Sequence, residues 1–400
     1  MKVLYVVTAY PRSATDVITP WLVETVRRLR DRGHDVTVFT SSYRGLGNQT
    51  INETPVVRFR YFPKRWEDLT HDETAVDRVK RGPRYKLMAL CYLVAGSVAV
   101  FKLCRRERFD VIHVHWPLPH YLFGRVAQLA RRAPVVISFH GAELMVVKHG
   151  LKLLRPFLRW AIAGADAITA NSTHTVKAIQ EIVNRPVHIV PYGTTAGECP
   201  ASPPPTAATT KQLLFVGRLV ERKGVPFLVE AAALLRADVP LHLNIVGTGP
   251  EEPALRTLVS ERGIEKQVTF HGFVSAPELE RLYRQCDVFV LPAVYDSKGD
   301  TEGLGVVLID AMSHRKPVVA SGIGGIVDLV IDGRTGIAVP PADPPALAHA
   351  LRRVLTDAEL SRRLGDAGYE HIRRNYSWPA IIERLETLYS QLTGAARRES

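Results

Sequence analysis

Short runs of β-branched and aliphatic residues alternate with segments of helical periodicity along almost the whole of this 400-residue chain. In the first half the runs are Val3–Val7, Val36–Phe39, Val111–Val114 and Val135–Phe139, parted by helical patterns over Trp21–Arg30, Leu87–Leu103 and Tyr121–Arg131. Ala167–Ala170 and Val187–Val190 read as further strands. Strands separated by helices of this length form βαβ units, and these give a parallel sheet covered on both faces. The pattern restarts with Gln212–Val216, the helix Val225–Ala237, Leu241–Val246, the helix Glu251–Glu261, Val268–Phe270, the helix Ala276–Gln285, Val288–Leu291, the helix Gly303–Ser313 and Val318–Ala320.

Between the halves, residues 197–210 carry Pro200, Pro203, Pro204 and Pro205 among small residues. With nothing to bury, this stretch reads as a linker. The chain also exceeds the length that one hydrophobic core serves. The expectation is α/β: two Rossmann-like, doubly wound domains over 1–196 and 211–375, with 376–400, including Trp378 and a helix over Ile381–Leu392, packing back on the first domain. Two open parallel sheets in tandem predict one ligand site in the cleft between them, beyond the carboxyl ends of the strands.

Hydrophobic residues make up 46% and charged residues 23%, which favours neither disorder nor a membrane-spanning class. Met1 opens directly into Val3–Val7, without a basic segment, a long apolar stretch and a small-residue cleavage site, so no export signal is expected. Leu87–Phe101 is apolar for about fifteen residues, short of the roughly twenty that span a bilayer, and is expected not to cross one. Four scattered cysteines, Cys91, Cys104, Cys199 and Cys286, have neither zinc nor disulfide-framework spacing and suit a reducing cytoplasm. A net charge of +12 attracts anions such as nucleotides or lipid headgroups without choosing among them. Lys80, Arg81, Arg84 and Lys86 precede the apolar stretch and Lys102, Arg105, Arg106 and Arg108 follow it. The pattern leaves open an ordinary domain helix or one resting on the inner face of a membrane.

Strand ends supply the chemistry. His140 follows Val135–Phe139 at once, beside Gly141, where a ligand can approach the backbone closely. Position alone also fits a hydrogen-bonded structural histidine, as it does for His113, His115 and His120. Gly217-Arg218-Leu219 follows Gln212–Val216, and Lys223-Gly224 opens the next helix, so two cations converge on a helix N-terminus. A diphosphate leaving group needs such an arrangement, although a solvated turn has the same residues. Gly247-Thr248-Gly249-Pro250 lacks the third glycine of a dinucleotide fingerprint and reads as a close-packed turn, with Gly247 lining a nucleotide pocket. In Gly299-Asp300-Thr301-Glu302-Gly303-Leu304-Gly305, Glu302 precedes a helix with free backbone N–H groups in its first turn. Asp310, eight positions on, is expected on roughly the same side of that helix. A capping glutamate and an ordinary helical aspartate fit the spacing equally.

Taken together and in this order, these segments resemble the GT-B glycosyltransferases of family 4, retaining enzymes that use nucleotide-sugar donors. The resemblance runs through Arg32-Gly33-His34-Asp35-Val36, His140-Gly141, Gly217-Arg218-Leu219 with Lys223-Gly224, Glu302 to Asp310, Gly322 to Gly336 and Tyr376-Ser377-Trp378. It implies that Arg218 and Lys223 bind the donor diphosphate, that Glu302, first carboxylate of an E-x7-E motif, contacts the sugar, and that Asp310 contacts the ribose. His140 would stand near the reacting carbon, with Gly217 and the backbone of Gly303, Leu304 and Gly305 lining the donor. Three positions depart from the family pattern. Asp310 replaces a glutamate, Tyr10-Pro11-Arg12-Ser13-Ala14-Thr15-Asp16 lacks the Gly-Gly pair of the first loop, and Pro191-Tyr192-Gly193-Thr194-Thr195 stands for Pro-Asn-Gly-x-Asp.

The resemblance implies a retaining transfer of a hexose or N-acetylhexosamine from a UDP- or GDP-sugar, with no metal cofactor. The acceptor is a small molecule, a glycan or a lipid-linked glycan, and nucleic acid is not an expected partner. Two other readings stay open: a nucleotide-sugar epimerase of the same architecture, which would need no acceptor, and a sugar-nucleotide-binding protein without catalysis. A nicotinamide oxidoreductase lacks its glycine fingerprint.

Overall fold

The computed structural model describes residues 1–73, 75–194 and 210–396. The linker expected over 197–210 therefore lies, Thr210 apart, outside the described residues. The chain divides into two compact units, one of Met1–Asn171, Thr175–Val190 and Ile381–Ser400, the other of Ser172–His174 and Pro191–Ala380.

The first unit is built on β1 (Lys2–Val6), β2 (Asp35–Ser41), β3 (Gln49–Ile51), β4 (Thr54–Phe59), β5 (Val111–His115), β6 (Val135–Phe139), β7 (Ala167–Ala170) and β8 (His188–Ile189). They lie in the order β3-β4-β2-β1-β5-β6-β7-β8, parallel except for the antiparallel β3–β4 pair. The period of two along each strand sorts the core. Val3, Tyr5, Val36, Val38 and Val111 pack on one face with Leu22, Val26 and Leu29, while Leu4, Val6, Ile112, Val114 and Ile137 pack on the other. The β3–β4 hairpin is not legible in the sequence. Its two-residue turn, Asn52-Glu53, has no glycine although both residues adopt positive φ (45° and 63°), and Pro55 interrupts the strand pattern.

Helix Pro83–Arg106 corrects the fifteen-residue expectation. It runs for 24 residues because the basic residues at both ends continue it, and by length and composition it is long and apolar enough to cross a membrane. Here Met88, Tyr92, Gly96, Val100 and Cys104, one residue per turn, bury one face in the unit's core. At Gly96 a Cβ would come within 2.4 Å of the Phe123 ring, so only glycine permits this helix to lie so close.

The last helix, Trp378–Ala396, carries Ile382, Leu385, Leu388 and Tyr389 into the first unit's core. Glu386 on it accepts from His34 Nε2 at 3.0 Å and from Arg32 at 3.2 Å, which uses the Arg32–His34 segment after the first helix.

The second unit contains β9 (Lys211–Val216), β10 (Leu241–Val246), β11 (Val268–Gly272), β12 (Val288–Leu291), β13 (Val318–Ser321) and β14 (Ile337–Val339) in the all-parallel order β11-β10-β9-β12-β13-β14. Strand order reverses between β9 and β12, the place where open α/β sheets leave a crevice at the strands' carboxyl ends. In the first unit the same reversal falls between β1 and β5.

Candidate active site

In the first unit, His140 continues β6 past its carboxyl end, and Gly141, at φ +97°, turns the chain into helix Ala142–His149. The His140 ring lies 4.8 Å from each of Trp21 and Trp116 and stacks on His115 at 5.3 Å. Burial among these rings pushes its pKa down to about 3, so it is neutral at pH 7. His115 Nδ1 is 3.1 Å from His140 Nε2, while His115 Nε2 is buried without a hydrogen-bond partner among the described residues. A buried orphan N–H is costlier than a buried lone pair, so Nδ1–H of His115 is the donor and His140 Nε2 accepts.

Glu143 Oε1 accepts the His140 backbone N–H at 2.9 Å. Its Oε2 is buried and has no hydrogen-bond partner among the described residues, and burial pushes this carboxyl up to about 7. His113 and His120 are structural. The former bonds Ser138 Oγ at 2.6 Å and Tyr389 Oη at 2.5 Å, the latter Tyr92 Oη at 2.8 Å. The first loop is tied down by charge where glycines were missing: Arg12 pairs with Asp16 at 2.7 Å, and buried Arg58 donates to the carbonyls of Tyr10 and Pro11.

In the second unit, the loops after β9 and β12, the strands flanking the reversal, are stitched together. Val294 N–H donates to the Arg222 carbonyl at 2.9 Å, and Ser297 donates to Glu221 through its backbone and its hydroxyl, both at 2.9 Å. Gly224, at φ +65°, backs onto the Pro292 carbonyl, which a Cβ would meet at 1.9 Å. The result is that Lys223 Nζ donates to Glu302, with Arg222 3.6 Å from the same carboxylate oxygen. Lys223 ends a short 3-10 turn and is buried, its stem lying against Gly217. Arg218, two residues past the end of β9, is exposed. Arg222 was not singled out in the sequence, because nothing in its spacing separates it from a solvated turn cation.

One sequence expectation fails here. Helix Val306–Ser313 begins at Val306, not Gly303, so Glu302 and Asp310 do not share a helix. Gly305 at φ +82° breaks the helical path, and the Glu302–Gly303 backbone is pinned from behind by Gly324 and Gly325. Gly325 N–H donates to the Glu302 carbonyl at 2.9 Å, and a Cβ on Gly325 would sit 2.0 Å from the Gly303 carbonyl. The Leu304 side chain is buried in the core, which leaves its main chain as the part able to meet a ligand. Asp310 is half-buried on its helix. Burial pushes its carboxyl up to about 6, against the opposing pull of His314 and with a small addition from Glu280. Gly247, at φ +123°, packs where a Cβ would strike the Gly217 carbonyl at 2.0 Å, so it holds β9 and β10 loops together.

Residues 21–196 match the model for Glycosyltransferase Family 4 and residues 202–371 the model for Glycosyl transferases group 1. The chain is 31% identical to the GDP-mannose-dependent alpha-(1-6)-phosphatidylinositol monomannoside mannosyltransferase of Mycolicibacterium smegmatis, over 68% of this chain and 74% of that protein. Among solved structures it is similar to sucrose-phosphate synthase from Thermosynechococcus elongatus (TM-score 0.71, 24% identity, 99% and 100% of the two chains). It is also similar to HepE of Anabaena in complex with UDP and glucose (TM-score 0.69, 20% identity, 98% and 100%). With two parallel-sheet units of GT-B type and both halves matched, the chain belongs to the group 1 glycosyltransferases of family 4 and is an enzyme of that class.

Proposed function

We propose that the protein transfers a hexose or N-acetylhexosamine from a UDP- or GDP-sugar to an acceptor hydroxyl, with retention of anomeric configuration and without a metal. The observation that carries this reading is the Lys223–Glu302 contact at the β9/β12 reversal, with Arg222 on the same carboxylate oxygen. Lys223 and Arg218 take the donor diphosphate, and each charge-assisted hydrogen bond contributes roughly 1.5–3 kcal/mol as charge develops on the departing oxygen. Glu302 turns from Lys223 to the sugar hydroxyls, and the backbone N–H groups of residues 303–305 line the sugar and phosphate. Asp310, whose carboxylate has no hydrogen bond among the described residues, accepts from the ribose. Neutral His140 serves the reacting centre as a hydrogen-bonding group without adding charge.

In the reaction the bond from the anomeric carbon to the diphosphate oxygen breaks. The acceptor oxygen bonds to that carbon from the same face, and its proton passes to the leaving phosphate. The names of the similar proteins supply the donor panel, UDP for HepE and GDP-mannose for the mycolicibacterial transferase. The test is nucleoside diphosphate release from UDP-, GDP-, ADP- and dTDP-sugars with EDTA present, with and without cell extract as acceptor source. Release that rises with extract and vanishes in Glu302→Ala supports the reading. Donor turnover that needs no acceptor favours an epimerase, and binding without turnover favours a non-catalytic protein.

A further inference from the structure

Helix Pro83–Arg106 leaves half of its circumference unused by the fold. Opposite the buried face, Leu87, Leu90, Val94, Val98 and Phe101 recur at spacings of three and four and form one stripe about 21 Å long. Each is between 42% and 59% exposed. Five large apolar side chains in one line on a surface helix are not the scattered single exposures that ordinary surfaces carry.

Charge states what covers the stripe. Arg84 and Lys86 flank its start, and Lys102, Arg105 and Arg106 its end, all exposed, with Lys80, Arg81 and Arg108 just beyond. Among the described residues, Lys86, Lys102, Arg105, Arg106 and Arg108 take part in no salt bridge, so their charge is available to an outside partner. At the start of the helix Trp66 is also partly exposed, with the Arg84 and Arg65 guanidinium groups over its ring at 4.7 and 4.6 Å. An amphipathic indole beside cations is what a lipid headgroup layer accommodates.

We propose that this face docks the enzyme onto an anionic phospholipid surface, with the helix lying in the interface plane, the stripe entering the acyl boundary and the cations meeting headgroup phosphates. Spanning is not compatible with the packing: the opposite face is committed to the core through Met88, Tyr92 and Val100, and through Gly96 against Phe123. The proposal stands independently of the reaction assigned above.

The test is flotation of the full chain with vesicles of phosphatidylcholine alone or with one third phosphatidylglycerol, at 0.1 and 0.5 M salt. The expected result is binding to the anionic vesicles at least tenfold above the neutral ones, reduced by salt and released by alkaline carbonate. L90S/V94S, at exposed positions that leave the core intact, and K86E/K102E/R105E should each lose at least tenfold of that binding, with unchanged thermal unfolding. Absence of vesicle binding, as an acidic protein partner would give, overturns the proposal. So do equal binding by L90S/V94S and retention in carbonate, the latter marking a spanning helix.

Discussion

Lys223 and Glu302 stand 79 residues apart in the chain and are joined by a hydrogen bond between side chains that are both largely shielded from solvent. Each is the other's counterion, and each is assigned above to a different part of the donor. Removing one partner therefore costs twice, through the lost donor contact and through the charge left behind. Lys223→Met and Glu302→Ala are each expected to lower kcat/KM by about 10²–10³, as for other preorganised electrostatic contacts. Arg222→Ala, removing the more distant cation at 3.6 Å, should cost about tenfold or less. Steady-state kinetics check this, with thermal unfolding as a control for Lys223. Equal losses for Arg222 and Lys223 would move the phosphate site towards Arg222.

Gly325 tests whether the loop behind Glu302 matters. A methyl group there must displace the Gly303 backbone by an ångström or more, since it would sit 2.0 Å from that carbonyl oxygen. Gly325→Ala is expected to cut turnover by about 10²-fold, in line with the cost of misplacing a catalytic contact by about 1 Å. Gly333, with nothing within 4 Å of a Cβ, is the control. Its φ of +67° makes Gly333→Asn the appropriate change, and turnover should stay within about twofold. If Gly325→Ala keeps full turnover, Glu302 is not held by this packing.

The alternation of strands and helices was legible because parallel strands covered on both faces are continuously apolar, and because the period of two along β1 sorts Val3 and Tyr5 from Leu4 and Val6. The β3–β4 hairpin was not, since its turn at Asn52-Glu53 takes positive φ without a glycine to announce it. His140 was nominated from its place at a strand end, Lys223 and Glu302 from theirs ahead of helices, and the family resemblance gave all three their roles. What the sequence could not contain was the rings of Trp21, Trp116 and His115 around His140, which come from two distant stretches, the first helix and the end of β5. Nor could it show that Gly305 stops the helix short of Glu302, because Gly303-Leu304-Gly305 reads equally well as a first turn. Local spacing located the residues; only tertiary packing set their neighbours and charge states.

Burial holds His113, His115, His120 and His140 neutral, with His113 and His140 pushed down to about 3 and His120 to about 4. In the unfolded chain each takes up a proton near pH 6.5. Below that pH the unfolded state binds more protons than the folded state, so stability is complete above about 6.5 and is lost as pH falls. Glu143, pushed up to about 7, acts in the opposite direction. The expected outcome is a steep fall in Tm between pH 7 and pH 5, with net uptake of two or more protons on unfolding at pH 5.5. Calorimetry in buffers of different ionisation enthalpy counts them. A Tm that is flat across this range would mean these rings are hydrated.

Asp310 couples donor binding to pH with the reverse sign. Its carboxyl is pushed up to about 6 from an ordinary 3.8. Between those values the folded chain keeps a proton that the unfolded chain has released, so stability falls as pH rises through the window and is constant above it. The full shift corresponds to at most about 3 kcal/mol, and less because the side chain is only half-buried. Asp310→Asn removes the buried charge and should raise stability at pH 8 by about 1–2 kcal/mol, with roughly half that gain at pH 5. The same change removes the acceptor assigned to the ribose, so the donor KM should rise about tenfold at pH 8. In the unsubstituted enzyme, donor KM should rise as pH falls below about 6, where Asp310 gains its proton. Urea unfolding at the two pH values and a KM–pH profile make the comparison. A stabilised variant with unchanged donor KM would leave Asp310 a strained helical residue with no part in donor binding.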